Sequence, residues 1–340
     1  MNQTQEGIVL RAVSGVYVVQ QSDSEIPPSS SIQNHGGLQD DPLVINCTLR
    51  GNLKKNLHYS TSSSFAKRVT HTKRGNVNDT ISVGDRVRFV EAKQGAGVIE
   101  EVLPRRSRFS RSGFRGKEQT LVCNLDQIVI VFASAEPNPD PWKLDRFLAA
   151  TEAEGLETLI VANKADLVDK KTTDDMFSEW TSLGYRLIRT SAKQDIGIDE
   201  LREALKDRVS AFVGPSGVGK SSLLNAIQPG LNLKTGDIGY VTYKGRHTTT
   251  AAQLIPLRFG GWVADTPGLR QLDLFETDPE DLVHLFPEFK PLLGKCKFDD
   301  CTHDHEPGCA IKEAVDKGDV SPRRYESFRI LATELEPAKR

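Results

Sequence analysis

Eight consecutive residues, Gly214-Pro215-Ser216-Gly217-Val218-Gly219-Lys220-Ser221, have the types and spacing needed to cradle a phosphate chain. The pattern G-x-x-x-x-G-K-[ST] is complete, and it sits between an apolar run, VSAFV, and a helix-like segment, KSSLLNAI. Glycines let backbone N–H groups close around phosphate oxygens, and the helix start adds partial positive charge. Lys220 is expected to reach the β- and γ-phosphates and to act in catalysis. The Ser221 hydroxyl is expected to ligate Mg²⁺, with Ser222 beside it in the nucleotide site.

A base reader precedes this loop. Asn163-Lys164-Ala165-Asp166 ends an apolar strand, TLIVA. A carboxylate at Asp166 can accept from guanine's N1–H and 2-amino group, whereas adenine offers no donors in that arrangement. Asn163 can reach the base edge and tie loops together, and the Lys164 stem can lie along the base. Ser191-Ala192-Lys193, one strand later, can present backbone to the guanine oxygen. Together these motifs favour GTP over ATP, the rival nucleotide.

Asp265-Thr266-Pro267-Gly268 closes a further strand-like run. Asp265 would hold Mg²⁺ through water, and the Gly268 N–H would sense the γ-phosphate. Between this motif and the loop lies Gly245-Arg246-His247-Thr248-Thr249-Thr250, where either Thr249 or Thr250 would complete the Mg²⁺ shell. Ras-like enzymes place a Gln after the glycine to orient water. Here Leu269 stands there, so hydrolysis is intrinsically slow or another group positions the water. His247 is the nearest candidate, since imidazole accepts from water; the alternative is a surface residue without a chemical role. Near the C-terminus, Cys296, Cys301 and Cys309 with a histidine offer three thiolates and one imidazole, a closed structural zinc set. Spacing leaves His303 and His305 both open.

These residues need a scaffold. From residue 121 onward apolar runs (LVCNLDQIVIVFA, TLIVANKAD, YRLIRTSAK, VSAFVGPSG, AAQLIPL, GWVADTPG) alternate with helix-length segments at 142–154, 172–183, 198–208 and 220–228. That pattern predicts an α/β domain, a doubly wound, mostly parallel sheet with helices on both faces. Before it, Gly7 to Gln20 reads as a hairpin, and VINCTLRG, DRVRFVEA and AGVIEEVL as short strands, which together suggest a small β-barrel. Polar segments at 21–41 and 59–80 read as flexible insertions.

Composition narrows the class. Arg50 to Lys117 holds 16 Lys and Arg against 5 Asp and Glu, a net +11 in a chain of net −2, so the remainder carries −13. A basic block on an acidic protein suggests a nucleic-acid-facing module. No apolar run approaches the roughly 18 residues of a membrane span, and the first residues resemble neither a secretory signal nor a transit peptide. Five cysteines, three of them clustered, argue against a disulfide framework and for a reducing, cytoplasmic setting.

The motif order is unusual, because N-K-A-D and S-A-K precede the phosphate loop. The G domain is therefore circularly permuted. With V-G-D-R-V at 83–87, N-L-D at 124–126, L-D-R at 144–146, G-R-H-T-T-T, D-T-P-G and the Cys/His cluster, the chain resembles the RsgA (YjeQ-type) family of circularly permuted GTPases, which help mature the small ribosomal subunit. The resemblance implies an N-terminal OB-fold over 1–108, a permuted G domain over 109–275, and a helical zinc-binding extension over 276–340. It implies His303 as the imidazole ligand, one Zn²⁺ per chain, and Mg²⁺ with GTP. It further implies a cytoplasmic monomer with GTP, GDP and small-subunit rRNA as partners. Arg105, Arg106, Arg108, Arg111 and Arg115 would contact phosphates. A rival reading is an RNA-binding nucleotide switch with negligible turnover. Because the cluster begins 28 residues after Gly268, the extension is also expected to respond to the second switch.

Overall fold

The computed structural model describes residues 4–13, 15–21, 44–50, 81–92, 96–112, 118–231, 252–265 and 277–335. Of the insertion expected at 21–41, Gln21 instead ends a strand; the rest of it, the segment 59–80, and Arg115, His247, Thr249, Thr250, Gly268 and Leu269 lie outside the described residues.

Five short strands close a barrel. β1 (Thr4–Val13) and β2 (Val16–Gln21) form the expected hairpin, followed by β3 (Val44–Leu49), β4 (Arg86–Glu91) and β5 (Ala96–Val102). The order is β1-β2-β3-β5-β4, with β4 returning to β1 and only β3–β5 parallel, an OB-like topology. Alternate residues face inward, as the two-residue period requires, and Val9, Val19, Ile45, Cys47, Val87, Phe89 and Ile99 make its core.

Two motifs lock the barrel to the neighbouring stretch of chain around Asn124. Gly84 takes φ 86°, and a Cβ there would lie 2.1 Å from the Cys123 carbonyl, so only glycine fits. Asn124, itself at φ 55°, donates to the Gly84 carbonyl at 2.8 Å and accepts from the Arg106 N–H. Arg105 grips Asp85 with two bonds of 2.6 and 2.7 Å, and both side chains are buried. Arg105 is thus committed to a buried ion pair within the N-terminal part and, contrary to expectation, is not exposed to meet an RNA phosphate. Arg106 remains exposed beside Asp126.

The apolar run 121–133, expected as one element, is two. β7 (Glu118–Cys123) pairs with β6 (Arg108–Ser112) in a separate ribbon, and β8 (Gln127–Ala133) enters the second sheet region after the turn at Asn124. That region continues through β9 (Glu157–Asn163), β10 (Arg186–Arg189), β11 (Val209–Val213), β12 (Gln253–Pro256) and β13 (Trp262–Asp265), ordered β10-β9-β8-β11-β13-β12. All neighbours are parallel except β12, which runs antiparallel to β13. α1 (Pro141–Ala153) and α2 (Lys170–Ser182) cover one face with Ile128, Ile130 and Phe132 beneath them. α3 (Ile198–Leu205) and α4 (Lys220–Ile227) cover the other, over Val129, Val131 and Phe212. The fold class is the expected one.

β1 belongs to both halves. A register shift between Val9 and Arg11 frees Leu10 from the barrel's alternation. Val9 stays in the barrel core, while Leu10, fully buried, joins the core that holds Leu254 and Ala264. Arg11 then pairs with Gln253, linking barrel and G domain in one eleven-stranded sheet.

The C-terminal region packs on α1 and α2. Before residue 293 the chain forms two 3-10 segments, Leu282–Leu285 and Pro287–Leu292, because Pro287 and Pro291 lack the N–H a continuous α-helix needs. α5 (Ala310–Lys317) and α6 (Pro322–Leu335) complete the extension. Asp145 on α1, fully buried, accepts from Arg323 and Arg324 of α6 at 2.6 Å each, from the Ser327 hydroxyl and from the Trp180 indole. Arg324 also holds Glu288 at 2.7 Å, and Arg323 holds Glu179. Among the described residues no helix is long and apolar enough to cross a membrane.

Candidate functional site

Strand polarity gathers the motifs. The chain runs outward through β8, β9 and β10, then returns to β11 on the other side of β8, so the sheet's topology reverses there. Ligands of open α/β sheets bind outside the carboxyl ends of the strands at such a point. Gly214 comes directly after β11, Lys164 directly after β9, Ser191 lies just past β10, and Asp265 ends β13. All four motifs thus lie at the same edge of the sheet despite their permuted order.

The phosphate loop and base reader touch. Asn163 Nδ2 donates to the Val218 carbonyl at 2.8 Å, and its Oδ1 accepts from Thr190 Oγ1 at 3.1 Å. Gly219, at φ 92°, admits this contact, since a Cβ there would lie 2.6 Å from Asn163 Nδ2. Asn163 thus ties the two loops together. Asp166 is steadied by Ser191, whose hydroxyl donates to Oδ1 at 2.6 Å and accepts from the Gln194 N–H. The Lys164 ammonium donates to the Glu136 carbonyl.

Lys220 opens α4 and is buried, its ammonium donating to the carbonyls of Gly214 at 2.7 Å and Pro215 at 2.6 Å. Ser221 beside it is buried, and so is Asp265, whose Oδ2 accepts from Gln253 Nε2 at 3.4 Å. A hydroxyl and a carboxylate are hard oxygen donors, the chemistry that suits Mg²⁺ rather than a soft metal.

Ser134, Glu136 and Thr190 hydrogen-bond to Asn163 or Lys164 and carry no motif. Ser134 is fully buried with its N–H on the Asn163 carbonyl at 2.7 Å, while its hydroxyl has no hydrogen-bond partner among the described residues. Position just past β8 was the available signal, because β8 lies between the strands that carry the loop and the base reader.

The candidate metal centre lies in the C-terminal extension. One ligand atom each from Cys296, Cys301, His303 and Cys309 falls within 4.8 Å of the others. His303 Nδ1 is 3.5 Å from the sulfurs of both Cys296 and Cys309. His305 is outside the group, exposed near Glu306. Burial pushes the Cys301 thiol up to about 12 and lowers His303. Three sulfurs and an imidazole crowded in this way fit tetrahedral zinc, which would displace the thiol protons on binding. Around them, the Tyr325 hydroxyl donates to the His303 carbonyl at 2.7 Å. Glu306 accepts from the Thr302 N–H and hydroxyl, bonds that outweigh burial and hold its carboxyl down at about 2.

Known proteins resemble this chain in sequence and fold. The RsgA GTPase family profile matches residues 102–275. A protein of Gemmatimonas aurantiaca named small ribosomal subunit biogenesis GTPase RsgA is 46% identical over 278 residues, spanning 81% of this chain and 90% of its own. This chain belongs to the RsgA GTPase family. A like-named protein of Moorella thermoacetica is 46% identical over 252 residues, 74% of this chain and 84% of its own. Among solved structures, YjeQ from Thermotoga maritima matches with TM-score 0.74 at 34% identity, covering 98% of this chain and 99% of that one. YloQ, described as a circularly permuted GTPase, matches with TM-score 0.70 at 29% identity, over 98% and 96% of the two chains. The fold, with its circularly permuted G domain, is therefore shared with these structures.

Proposed function

We propose that this protein hydrolyses GTP to GDP and phosphate and couples that reaction to binding and late maturation of the small ribosomal subunit. The observation that carries the reading is the Asn163–Val218 bond, which joins a guanine reader to a phosphate loop across 55 residues at the strands' carboxyl ends. We assign Asp166 to the guanine edge, with Lys164 along the base and the backbone of Ser191, Ala192 and Lys193 beside it. The loop from Gly214 to Ser222 holds the phosphates, and Lys220 exchanges its carbonyl partners for β- and γ-oxygens. Ser221, Asp265 and either Thr249 or Thr250 would hold Mg²⁺, which offsets charge on the phosphate oxygens. The Gly268 N–H senses the γ-phosphate, and His247 orients the attacking water.

The three working parts are taken as 1–108, 109–275 and 276–340, the first and last facing rRNA, in a cytoplasmic monomer. Titrating purified small subunits into a GTP turnover assay tests the function: turnover should rise with subunit concentration, and a flat response would leave only a nucleotide switch. Lys220→Ala should lower turnover at least about 10²-fold, with the melting temperature little changed, because electrostatic stabilisation of the transferring phosphoryl group is lost. Unchanged turnover and nucleotide affinity in that variant would remove the loop assignment.

The Cys₃His set is assigned to one structural Zn²⁺ per chain. Elemental analysis of protein purified without chelator should find one zinc, and Cys296→Ser or Cys309→Ser should lose it and loosen residues 294–309 to proteolysis. Metal-free wild-type protein with the same protease resistance would contradict this.

A further inference from the structure

The barrel's first strand reaches the nucleotide site through one side chain. β12 is clasped between β1 and β13, and Gln253 stands opposite Arg11 on one side and opposite Asp265 on the other. Its carboxamide donates to the Asp265 carboxylate at 3.4 Å. The clasp is fixed independently at two points. Leu10 packs in the core with Leu254 and Ala264, the neighbours of Gln253 and Asp265. The Trp262 indole, three residues before Asp265, donates to Gln20 on β2 at 3.1 Å. Gln253 also lies just after the 245–250 segment, so it sits between both switch motifs.

We propose that Gln253 is a positioning residue for the Asp265 carboxylate, held by the barrel, so that the barrel sets how tightly the nucleotide site takes Mg²⁺. This rests on the assignment of Asp265 to Mg²⁺ made above. An oriented N–H donor on Oδ2 restrains the rotamer of the buried Asp265 carboxylate. Loss of that donor widens the range of carboxylate rotamers, and part of the Mg²⁺ affinity goes into restoring the geometry. A defect of this kind appears only when Mg²⁺ is present.

The test measures affinity for a fluorescent GDP analogue in EDTA and across a Mg²⁺ titration, using the full chain. Gln253→Met keeps side-chain length and removes the donor. It should raise the Mg²⁺ concentration for half-maximal tightening about 3–10-fold, the worth of one weak hydrogen bond, with affinity in EDTA unchanged. Gln20→Met, which frees the Trp262 indole, should shift the Mg²⁺ midpoint in the same direction by a smaller factor. Circular dichroism should match the wild type in both. Asp265→Asn separates the positioning role from the metal assignment. If it shifts the Mg²⁺ midpoint while Gln253→Met does not, the positioning role is overturned alone. If Gln253→Met weakens binding equally in EDTA, its role is general packing and the inference fails. If Asp265→Asn leaves the Mg²⁺ response intact, the metal assignment and this inference fall together.

Discussion

Replacing Asp145 with alanine is expected to destabilise the protein by about 3–5 kcal/mol, the scale for removing one member of a buried charge network. Two arginines and an indole converge on this carboxylate, and Arg324, only 2% exposed, would keep Glu288 alone as a charged partner. The cost lies in the desolvated guanidinium left behind, so Asp145→Asn should also be harmful although it nearly preserves volume. Burial by itself would raise the Asp145 pKa, but Arg324, Arg323 and Ser327 outweigh it and hold the group below its ordinary value. A depressed folded-state pKa contributes stability that is complete above the ordinary carboxylate range and is lost as pH falls through the folded value. Denaturation midpoints should therefore fall more steeply with acid in the wild type than in Asp145→Ala. Asp304→Ala is the control. It removes an ion pair to Arg329 whose side chains are 44% and 52% exposed, and should cost under about 1 kcal/mol. If the two variants melt alike, the clamp has been misjudged.

Asp166→Asn should produce the largest functional change. Losing two hydrogen bonds from guanine to a charged acceptor is worth about 3–6 kcal/mol, or roughly 10²–10⁴-fold in GTP affinity. Xanthosine triphosphate carries an oxygen where guanine has its amine, so an amide at 166 can donate to it, and preference should invert. The Ser191 hydroxyl bond to Asp166 gives a graded companion: Ser191→Ala keeps the carboxylate but loosens it, and should weaken GTP binding by only about 2–10-fold without changing the preferred base. Competition binding with GTP, XTP and ATP reads both effects. An unaltered guanine preference in Asp166→Asn would mean that the base is read elsewhere.

Local patterns account for much of what could be foreseen. The loop at 214–221, the reader at 163–166 and the strands that carry them are written in consecutive residues, and strand polarity alone brings them together. The Cys/His cluster is equally legible: spacing leaves His303 and His305 open, the family resemblance points to His303, and the ligand atoms of the three cysteines gather around His303. What stayed hidden depends on partners far along the chain. Arg105 looks like one more basic residue until Asp85 is found buried against it. L-D-R at 144–146 stood out as a motif, yet the task of Asp145 is set by residues 178 and 179 positions away. N-L-D at 124–126 marks the apolar run 121–133, but its role as a break depends on the Gly84 carbonyl 40 residues upstream. Ser134 and Glu136 carry no recognisable pattern and matter only through the strand that delivers them.

The displaced Leu10 of β1 has a consequence for how the molecule is made. A nascent chain grows at about 5–20 residues per second, so Leu10 waits some 10–50 s for Leu254 to be synthesised. Until then the strand that both halves share has only its barrel neighbours, and an apolar side chain turned away from that barrel stays in water. The barrel can close early, but its outer face stays unfinished for most of translation. The sheet is completed only when β12 and β13 arrive and insert between β11 and β1. A chain interrupted before residue 254 would therefore carry a formed barrel with a sticky seam, a natural handle for a chaperone or a protease. The protein's first strand is among the last parts of it to finish folding.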